Sequence, residues 1–253
     1  MREAKFSGKG NIYSENRPSY PQAFIDFLYS DVGITANSVI ADIGSGTGKL
    51  TRLLLEKGNK VFAVEPNADM RANAEMDLAG FGNFISINSF AENTTLADNS
   101  IDFITVATAF HWFDRQAFKS ERKRILKKGG KVIIVYNSRD EDSDFVKKFY
   151  AVNRKYCPKF QGFTGSGSLL RPENAGHYSD FFAGEYIENI IGNDLVYDEQ
   201  GFVGRSLSSS YALEEGDAQY ASYVNALRQL FQENSRGGTV VMPNITHSYI
   251  GTV

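Results

Sequence analysis

The sequence is poor in the features that mark secreted, membrane-spanning and nucleic-acid-binding proteins. Its 253 residues include one cysteine, Cys157, so an intrachain disulfide is excluded and a reducing compartment is favoured. No apolar run approaches the roughly 18 residues of a membrane span, and the N-terminal stretch has no apolar signal core. A net charge of −3 gives no basic excess for nucleic acid. We therefore expect a cytoplasmic protein without a membrane or nucleic-acid partner.

The first half of the chain alternates short apolar runs with amphipathic ones. Strands are predicted at 38–43, 60–65, 84–89, 101–110 and 131–137. The amphipathic runs between them end at glycines such as Gly58 and Gly129, which is typical of helices. Strands separated by helices form βαβ units, so the pattern predicts an α/β fold with a parallel sheet.

This alternation ends after Asn137. We predict a helix at 142–156, a loop rich in Gly, Ser and Pro at 157–176, a strand at 184–190, a short helix at 198–210 and an amphipathic helix at 217–234. The segment 238–253 is strand-like, with Pro243 at an edge or bend.

A glycine-rich turn follows the first predicted strand, in the string "VIADIGSGTGKL". Its glycines are Gly44, Gly46 and Gly48. Ligands bind at the carboxyl edge of a parallel sheet, and missing side chains let a ligand approach the backbone. The dinucleotide fingerprint G-x-G-x-x-G fails because Lys49 occupies its last position. The phosphate-binding Walker pattern fails because Leu50 stands where Ser or Thr is needed.

An acidic residue, Glu65, ends the second predicted strand. A carboxylate at this place accepts hydrogen bonds from the two vicinal hydroxyls of a ribose. The alternative, a merely flexible turn, does not account for the glycines, the strand and the acid occurring together. The pattern therefore predicts an adenosine site that does not grip a phosphate.

Four stretches of the chain together resemble class I methyltransferases that depend on S-adenosylmethionine (SAM). They are "VIADIGSGTGKLTRLL", "VFAVEPNADM", "AENTTLADNSIDFITVATAFHWFD" and "ILKKGGKVIIVYN". The strings "YSENRPSYP", "AFHWFD" and "SLSSSYAL" resemble, more narrowly, the type 11 branch that includes trans-aconitate methyltransferases. The resemblance implies a doubly wound, Rossmann-like α/β sheet of seven mostly parallel strands, with an antiparallel final strand and a helical cap.

From the residues and the resemblance together we divide the chain into four segments. They are a helical lid segment (1–37), a SAM-binding α/β core (38–141), a helical cap that holds substrate and contributes one core strand (142–235), and a C-terminal strand that completes the core sheet (236–253). The resemblance is dense over 6–137 and sparse beyond, so the last two segments are the ones it describes least.

The resemblance also implies which residues bind SAM. The turn at Gly44, Ser45 and Gly46 would pack against its methionine part. Asp42 would anchor that turn or, through water, the amino group of SAM, and Glu65 would hold the ribose hydroxyls.

Further SAM contacts are implied on either side of this turn. Pro66 and Met70 would flank the adenine, and the backbone of Ala91 and Glu92 would read its edge, although Ser89 and Phe90 depart from the family pattern. Thr108 and Ala109 would line the donor. Tyr13, Arg17 and Tyr20 match a segment that folds over SAM in relatives, while the alternative for this proline-containing stretch is a stiff entry into the first helix.

The segment after the fourth strand is predicted to face the methyl acceptor. His111 and Trp112 lie there, and His111 is a candidate general base or acceptor-positioning group because imidazole titrates near neutrality. The alternative is that His111 caps the strand end, and the sequence leaves both open. Arg139, Arg171 and Arg205 would suit a small acceptor that carries a carboxylate. No group of Cys, His and acidic residues has metal-ligand spacing, so no metal is expected.

The predicted reaction is transfer of the methyl group of SAM to a small molecule by in-line displacement (EC 2.1.1.-), which leaves S-adenosylhomocysteine. Two alternatives are a non-catalytic SAM-binding regulator and a nicotinamide-dependent oxidoreductase, the latter disfavoured by Lys49. The basic run "KSERKRILKK" would suit nucleic acid, but the favoured interpretation is the solvated face and basic last turn of a helix.

Overall fold

The structure, a computed structural model, describes residues 19–162, 178, 180–182, 184–209 and 211–252. The chain divides into two compact units, each with an apolar core of its own. The first unit comprises Met1–Tyr136, Pro172–Ile191 and Thr246–Val253, and the second unit comprises Asn137–Arg171 and Gly192–Ile245. Every helix within the described ranges is too short or too polar to cross a lipid bilayer.

The described elements alternate as the sequence predicts over the first half of the chain. The helices are α1 Gln22–Ser30, α2 Lys49–Glu56, α3 Ala68–Leu78, α4 Arg115–Ile125, α5 Asp144–Tyr156, α6 Glu199–Leu207 and α7 Tyr220–Asn234. The strands are β1 Val39–Ile43, β2 Lys60–Val64, β3 Phe84–Ile87, β4 Ile101–Ala107, β5 Leu126–Arg139, β6 Tyr186–Gly192, β7 Leu195–Tyr197, β8 Val240–Met242 and β9 Asn244–Thr252.

Seven strands form one mixed sheet in the order β3-β2-β1-β4-β5-β9-β6, which confirms the predicted α/β class. β1 pairs in parallel with β2 and β4, β2 pairs in parallel with β3, and β4 with β5. Two hydrogen bonds show that β6 and β9 run antiparallel. The Asn193 N–H donates to the Asn244 carbonyl, and the Ser248 hydroxyl, further along β9, donates to the carbonyl of Asn189, further back along β6. The carboxyl ends of β1, β2, β3 and β4 therefore meet at one edge of the sheet.

The strand–turn–helix unit around the glycines is held by close packing. β1 is buried along most of its length. α2 follows Gly48, whose φ is 78° and whose Cβ, if present, would lie 2.8 Å from Cδ1 of Leu78. Leu50 and Leu54 on α2 then pack into the core of the first unit. Only glycine combines this left-handed backbone with so close an approach of the neighbouring helix.

The second unit packs its helices around aromatic residues. The rings of Phe149 on α5 and Phe202 on α6 lie 5.8 Å apart, and the Tyr223 hydroxyl of α7 donates to Oδ1 of Asn153 at 2.7 Å. β7 pairs antiparallel with β8 as a separate two-stranded sheet. The sequence analysis did not predict β7, because three residues are too few for a strand periodicity to appear.

Two strand boundaries differ from the prediction by three residues or more. β4 ends at Ala107 rather than at 110, because Thr108 has a φ of 57°, which a strand does not contain. Phe110–Trp112 form a single 3₁₀ turn instead. β5 begins at Leu126 rather than at 131, since Ile101 already pairs with Leu126 before a shift in register. The 3₁₀ turn after β4 changes the direction of the chain, and with it the orientation of the side chains of His111 and Trp112.

The basic run does not form the fully solvated helix face that the sequence analysis favoured. Arg122 is completely buried, its guanidinium carbon lies 3.7 Å from the ring centre of Phe181, and its Nη2 donates to the Phe181 carbonyl. Burial lowers the pKa of Arg122 to about 10. Lys127 pairs with Asp102 at 2.9 Å. Part of the positive charge of the basic run is therefore buried or paired with an acid within the fold. The helical spacing of these residues does not show which of them are buried.

Glu121 provides a test of this charge network by pH. Its carboxylate accepts hydrogen bonds from Thr94 and Arg124. Burial alone would raise the pKa of Glu121, but these partners lower it below its usual value. An acid with a lowered folded-state pKa contributes stability above its unfolded-state pKa, and this contribution is lost as the pH falls through the folded value.

Glu121→Gln should therefore lower the free energy of unfolding at pH 7 by about 1–2 kcal/mol. The difference from the wild type should shrink as the pH falls below the usual pKa of a glutamic acid. Urea unfolding at a series of pH values measures both effects. Glu215→Gln is the control, because Glu215 is exposed. A difference that stays constant down to acid pH would contradict the assigned role.

Candidate active site

Gly44 brings the glycine turn into contact with the segment that follows β4. Its φ is 70°, and its N–H donates to the Val64 carbonyl at 2.8 Å. A Cβ on Gly44 would lie 2.6 Å from Cβ of Ala109 and 3.3 Å from the Phe113 ring. No side chain other than hydrogen fits there, so the turn and the Ala109 segment form one continuous surface.

The next part of the turn is open. Gly46 has a φ of 57°, and nothing lies within 4 Å of the position of its Cβ. Ser45 lies between the two glycines, and its Oγ is buried without a hydrogen-bond partner among the described residues. The open backbone of Gly46 and the unsatisfied hydroxyl of Ser45 could together bind a polar ligand.

Glu65 connects the turn to the end of β2. Its carboxylate accepts the N–H of Gly46 at 2.9 Å and the N–H of Asn67 at 2.8 Å. Burial raises the pKa of Glu65, while these two N–H donors and the nearby Arg71 oppose the rise. Each oxygen accepts one of these bonds and retains a second lone pair, so the carboxylate can accept two further hydroxyl donors.

Asp42 lies beneath the turn and is fully buried. Its two oxygens accept the hydroxyls of Thr51 at 2.6 Å and Thr105 at 2.8 Å. Burial raises the pKa of Asp42, and the threonine hydrogen bonds oppose the rise. These bonds join β1 to α2 and β4.

The residues predicted to surround the adenine lie beyond the ends of β2 and β3. Met70, in the first turn of α3, is 3% exposed, and its N–H is capped by Asn67 at 3.0 Å. Ala91 is 5% exposed. Pro66 is half-buried. Oε1 of Glu92 accepts the Asp114 N–H at 2.7 Å. The Glu92 carboxylate thus holds the start of α4.

Tyr20 reaches the end of β4 from the N-terminal side of the chain. Its hydroxyl lies 3.4 Å from Oγ1 of Thr108. The Thr108 N–H donates to the Val135 carbonyl at 2.8 Å, which fixes its left-handed backbone against β5. Tyr20, Thr108 and Ala109 therefore meet beside the glycine turn. Tyr13 and Arg17 lie outside the described residues.

His111 and Trp112 share the 3₁₀ turn after β4. Their rings lie 4.7 Å apart, and the His111 ring is 6.3 Å from that of Tyr136 on β5. Tyr136 is fully buried, and this burial raises its pKa far above the usual value, with neighbouring Tyr178 adding to the rise. The sequence analysis missed Tyr136, because it stands at the end of the apolar run "VIIVY" and reads as core.

The predicted substrate arginines are in the second unit. Arg139 ends β5 and is 7% exposed, with its guanidinium carbon 4.5 Å from the ring centre of Phe149. Arg205 lies on α6, and its Nη1 donates to Oγ of Ser208 at 3.4 Å. Arg171 lies outside the described residues. Of the two described arginines, Arg139 is the one that is buried.

The chain is similar to several known methyltransferases. A family model described as a methyltransferase domain matches residues 41–134. An uncharacterized methyltransferase of Mycobacterium bovis is 36% identical over 143 residues, which cover 56% of each chain. A candidate methyltransferase of Dictyostelium discoideum is 28% identical over 243 residues, which cover 85% of this chain and 89% of that protein.

A solved structure described as a candidate type II methyltransferase from Anaeromyxobacter dehalogenans superposes with a TM-score of 0.67. It is 20% identical and covers 93% of this chain and 97% of its own, so the likeness shows the fold alone. The chain spans little more than half the length, 56%, of the mycobacterial relatives it matches. Residues 41–134 include the glycine turn, Glu65 and His111.

Proposed function

We propose, from the premise that residues 41–134 form a class I SAM-dependent methyltransferase domain, that the chain methylates a small-molecule acceptor. The observation that carries the proposal is the Glu65 carboxylate, held by the N–H groups of Gly46 and Asn67 at the end of β2. It presents acceptor lone pairs beside an open glycine turn, as an adenosine ribose requires.

The residues of the turn fit SAM as the cofactor. Gly46 leaves its backbone open, and the buried Ser45 hydroxyl lacks a partner among the described residues. Because the dinucleotide and Walker patterns both fail, the turn suits an adenosine without phosphates. SAM, when bound, supplies an electrophilic methyl group on a sulfonium. The turn and Glu65 would hold it, and Asp42 would keep the turn in place.

The aromatic residues beside Thr108 would hold the acceptor and exclude water. Tyr20 and Trp112 offer ring faces in this region of the first unit, and such faces attract a cationic group. A transfer reaction gains mainly from positioning, since the cofactor carries the reactive group. The Tyr136 phenol is neutral at neutral pH, as that of an ordinary tyrosine is, and burial raises its pKa further, so it would act as a hydrogen-bond donor.

His111 would act on an acceptor that has to lose a proton. His111 is on the 3₁₀ turn after β4, and its ring lies 4.7 Å from that of Trp112 and 6.3 Å from that of Tyr136. An acceptor hydroxyl or amine would give its proton to the imidazole, whereas a carboxylate acceptor would need no base. For a carboxylate acceptor, which the resemblance to the trans-aconitate branch suggests, His111 would only position the substrate.

The first experiment measures binding and transfer separately. Calorimetry should detect SAM binding and no binding of NAD, because Lys49 occupies the last glycine position of the dinucleotide fingerprint. Incubation with methyl-labelled SAM and a metabolite extract should then yield a labelled small molecule by mass spectrometry. Binding without any labelled product would favour a SAM-binding regulator, and tight NAD binding without SAM binding would favour an oxidoreductase.

A further inference from the structure

Two lysines of the basic run "KSERKRILKK" do not balance an acid within the fold. Three other cations of the run are used there, because Arg122 is buried while Arg124 and Lys127 form ion pairs with acids. Lys123 and Lys128 are exposed, and neither has an acid partner within the described ranges of the chain. Their two positive charges are therefore available to a ligand.

Both lysines line one cavity of about 250 Å³, the lysine cavity, to which Lys127 also contributes. No acidic residue is among the described residues that line it, while Asn99 and Thr252 add uncharged hydrogen-bonding groups. Its volume is just below the roughly 300–1,000 Å³ of sites that hold drug-sized ligands. The lysine cavity therefore suits a small polar molecule that carries negative charge.

The lysine cavity lies at the edge of the sheet opposite the glycine turn. Asn99 directly precedes β4, and Lys127 and Lys128 are near the start of β5. The glycine turn follows the carboxyl end of β1, which runs parallel to β4. A ligand in the lysine cavity would therefore bind at the amino edge of these strands, apart from the candidate active site.

A bulge in β5 forms part of the lining. Residues 127–130 of β5 stand opposite Asp102 of β4 alone. Asp102 holds the bulge in place, because its carboxylate pairs with Lys127 at 2.9 Å and accepts the Val39 N–H at 2.8 Å. Gly129 has a φ of 81°, and no described atom lies within 4 Å of the position of its Cβ. A ligand can therefore approach the backbone of Gly129 closely.

The end of α4 has lost part of the negative charge that would repel an anion. The last carbonyls of a helix carry a partial negative charge when they have no partner. Here the carbonyls of Arg124 and Ile125 accept the N–H groups of Asn99 and Ser100, each at 2.9 Å. Lys123, in the last turn of α4, adds a positive charge. These features make the end of α4 compatible with a bound anion.

We propose that the lysine cavity binds the phosphate group of a small organic phosphate between Lys123 and Lys128. A phosphate monoester carries nearly two negative charges at pH 7, which the two lysines balance. Each ammonium group offers three hydrogen-bond donors, and lysine commonly binds phosphate in this way. Asn99 and Thr252 would add uncharged hydrogen bonds. This site goes beyond the proposed methyl transfer and does not depend on it.

Calorimetry on the full chain, at about pH 8 and a low, fixed ionic strength, tests the site. The probes are inorganic phosphate, glycerol 3-phosphate and phenyl phosphate, with dimethyl phosphate as the counterpart that has one negative charge. We expect at least one doubly charged probe to bind the wild type, and dimethyl phosphate to bind more weakly. Lys123→Gln and Lys128→Gln should each weaken that binding about 5-fold, because each removes one of the two charges. Lys159→Gln is the matched control, since Lys159 is an exposed lysine of the second unit.

Three outcomes would overturn the proposal. They are the failure of every doubly charged probe to bind the wild type, binding that both lysine variants keep or that Lys159→Gln weakens equally, and binding of dimethyl phosphate as tight as that of the doubly charged probes. A short single-stranded oligonucleotide that binds when the small phosphates do not would instead indicate a nucleic-acid surface.

A SAM titration on the same samples keeps the phosphate site distinct from the proposed function. Lys123→Gln and Lys128→Gln should bind SAM as tightly as the wild type, because the lysine cavity and the glycine turn lie at opposite edges of the sheet. If the proposed function fails, no sample binds SAM, and the result for the phosphate probes still stands.

Discussion

Gly44→Ala is expected to destabilise the first unit by about 3 kcal/mol and to remove SAM binding. Two effects add up at this position. A left-handed φ of 70° costs a residue with a Cβ about 1–2 kcal/mol, and overpacking against Ala109 at 2.6 Å adds a similar amount. The turn relieves this strain by moving away from the Ala109 segment. Because the Gly46 N–H and Glu65 share that turn, the site for the donor is lost with it.

Gly46→Ala is the matched variant for this experiment. Gly46 has a similar φ of 57°, but nothing lies within 4 Å of the position of its Cβ. Its destabilisation should therefore be about 1 kcal/mol, the backbone contribution alone. Chemical unfolding of both variants and calorimetry with SAM give the comparison. Equal destabilisation by the two alanines would show that the contact between Gly44 and Ala109 has no energetic importance.

Glu65→Gln should weaken SAM binding by about 3 kcal/mol, or roughly 100-fold. The glutamine amide keeps one acceptor oxygen but turns an NH₂ donor toward either the Gly46 N–H or the Asn67 N–H. It also removes the negative charge that strengthens hydrogen bonds from ribose hydroxyls. Calorimetry at neutral pH measures the change. Glu56→Gln, at an exposed position on α2, should leave SAM affinity unaltered.

The pH dependence of SAM binding gives a second measurement on the same residue. Burial raises the pKa of Glu65, so this carboxylate takes up its proton at a higher pH than an ordinary glutamate. SAM affinity should therefore decline on acidification while exposed acids are still ionised, and Glu65→Gln should lack this decline. A wild type and a variant with the same pH profile would exclude Glu65 as the ribose acceptor.

Much of the first half of the fold follows from local sequence. The strands from β1 to β5 and the helices between them are predicted by apolar periodicity, because each buries one face or both against its neighbours. The glycines of the turn, together with Lys49 and Leu50, distinguish the site from two phosphate-binding patterns. Short-range signals fail where an element is brief or irregular, as in β7 and the 3₁₀ turn after β4.

The sequence by itself determined the α/β class, the strand–turn–helix unit and the place of Glu65, since these depend on residues close together in the chain. Only the tertiary structure decided that Tyr20 meets Thr108 across 88 positions, and that Tyr136 lies beside His111. It also decided that Arg122 and Arg139 are buried. These contacts and burials depend on which faces of the helices and strands pack together. Packing brings together residues that are far apart in the sequence, and no local periodicity indicates such pairs.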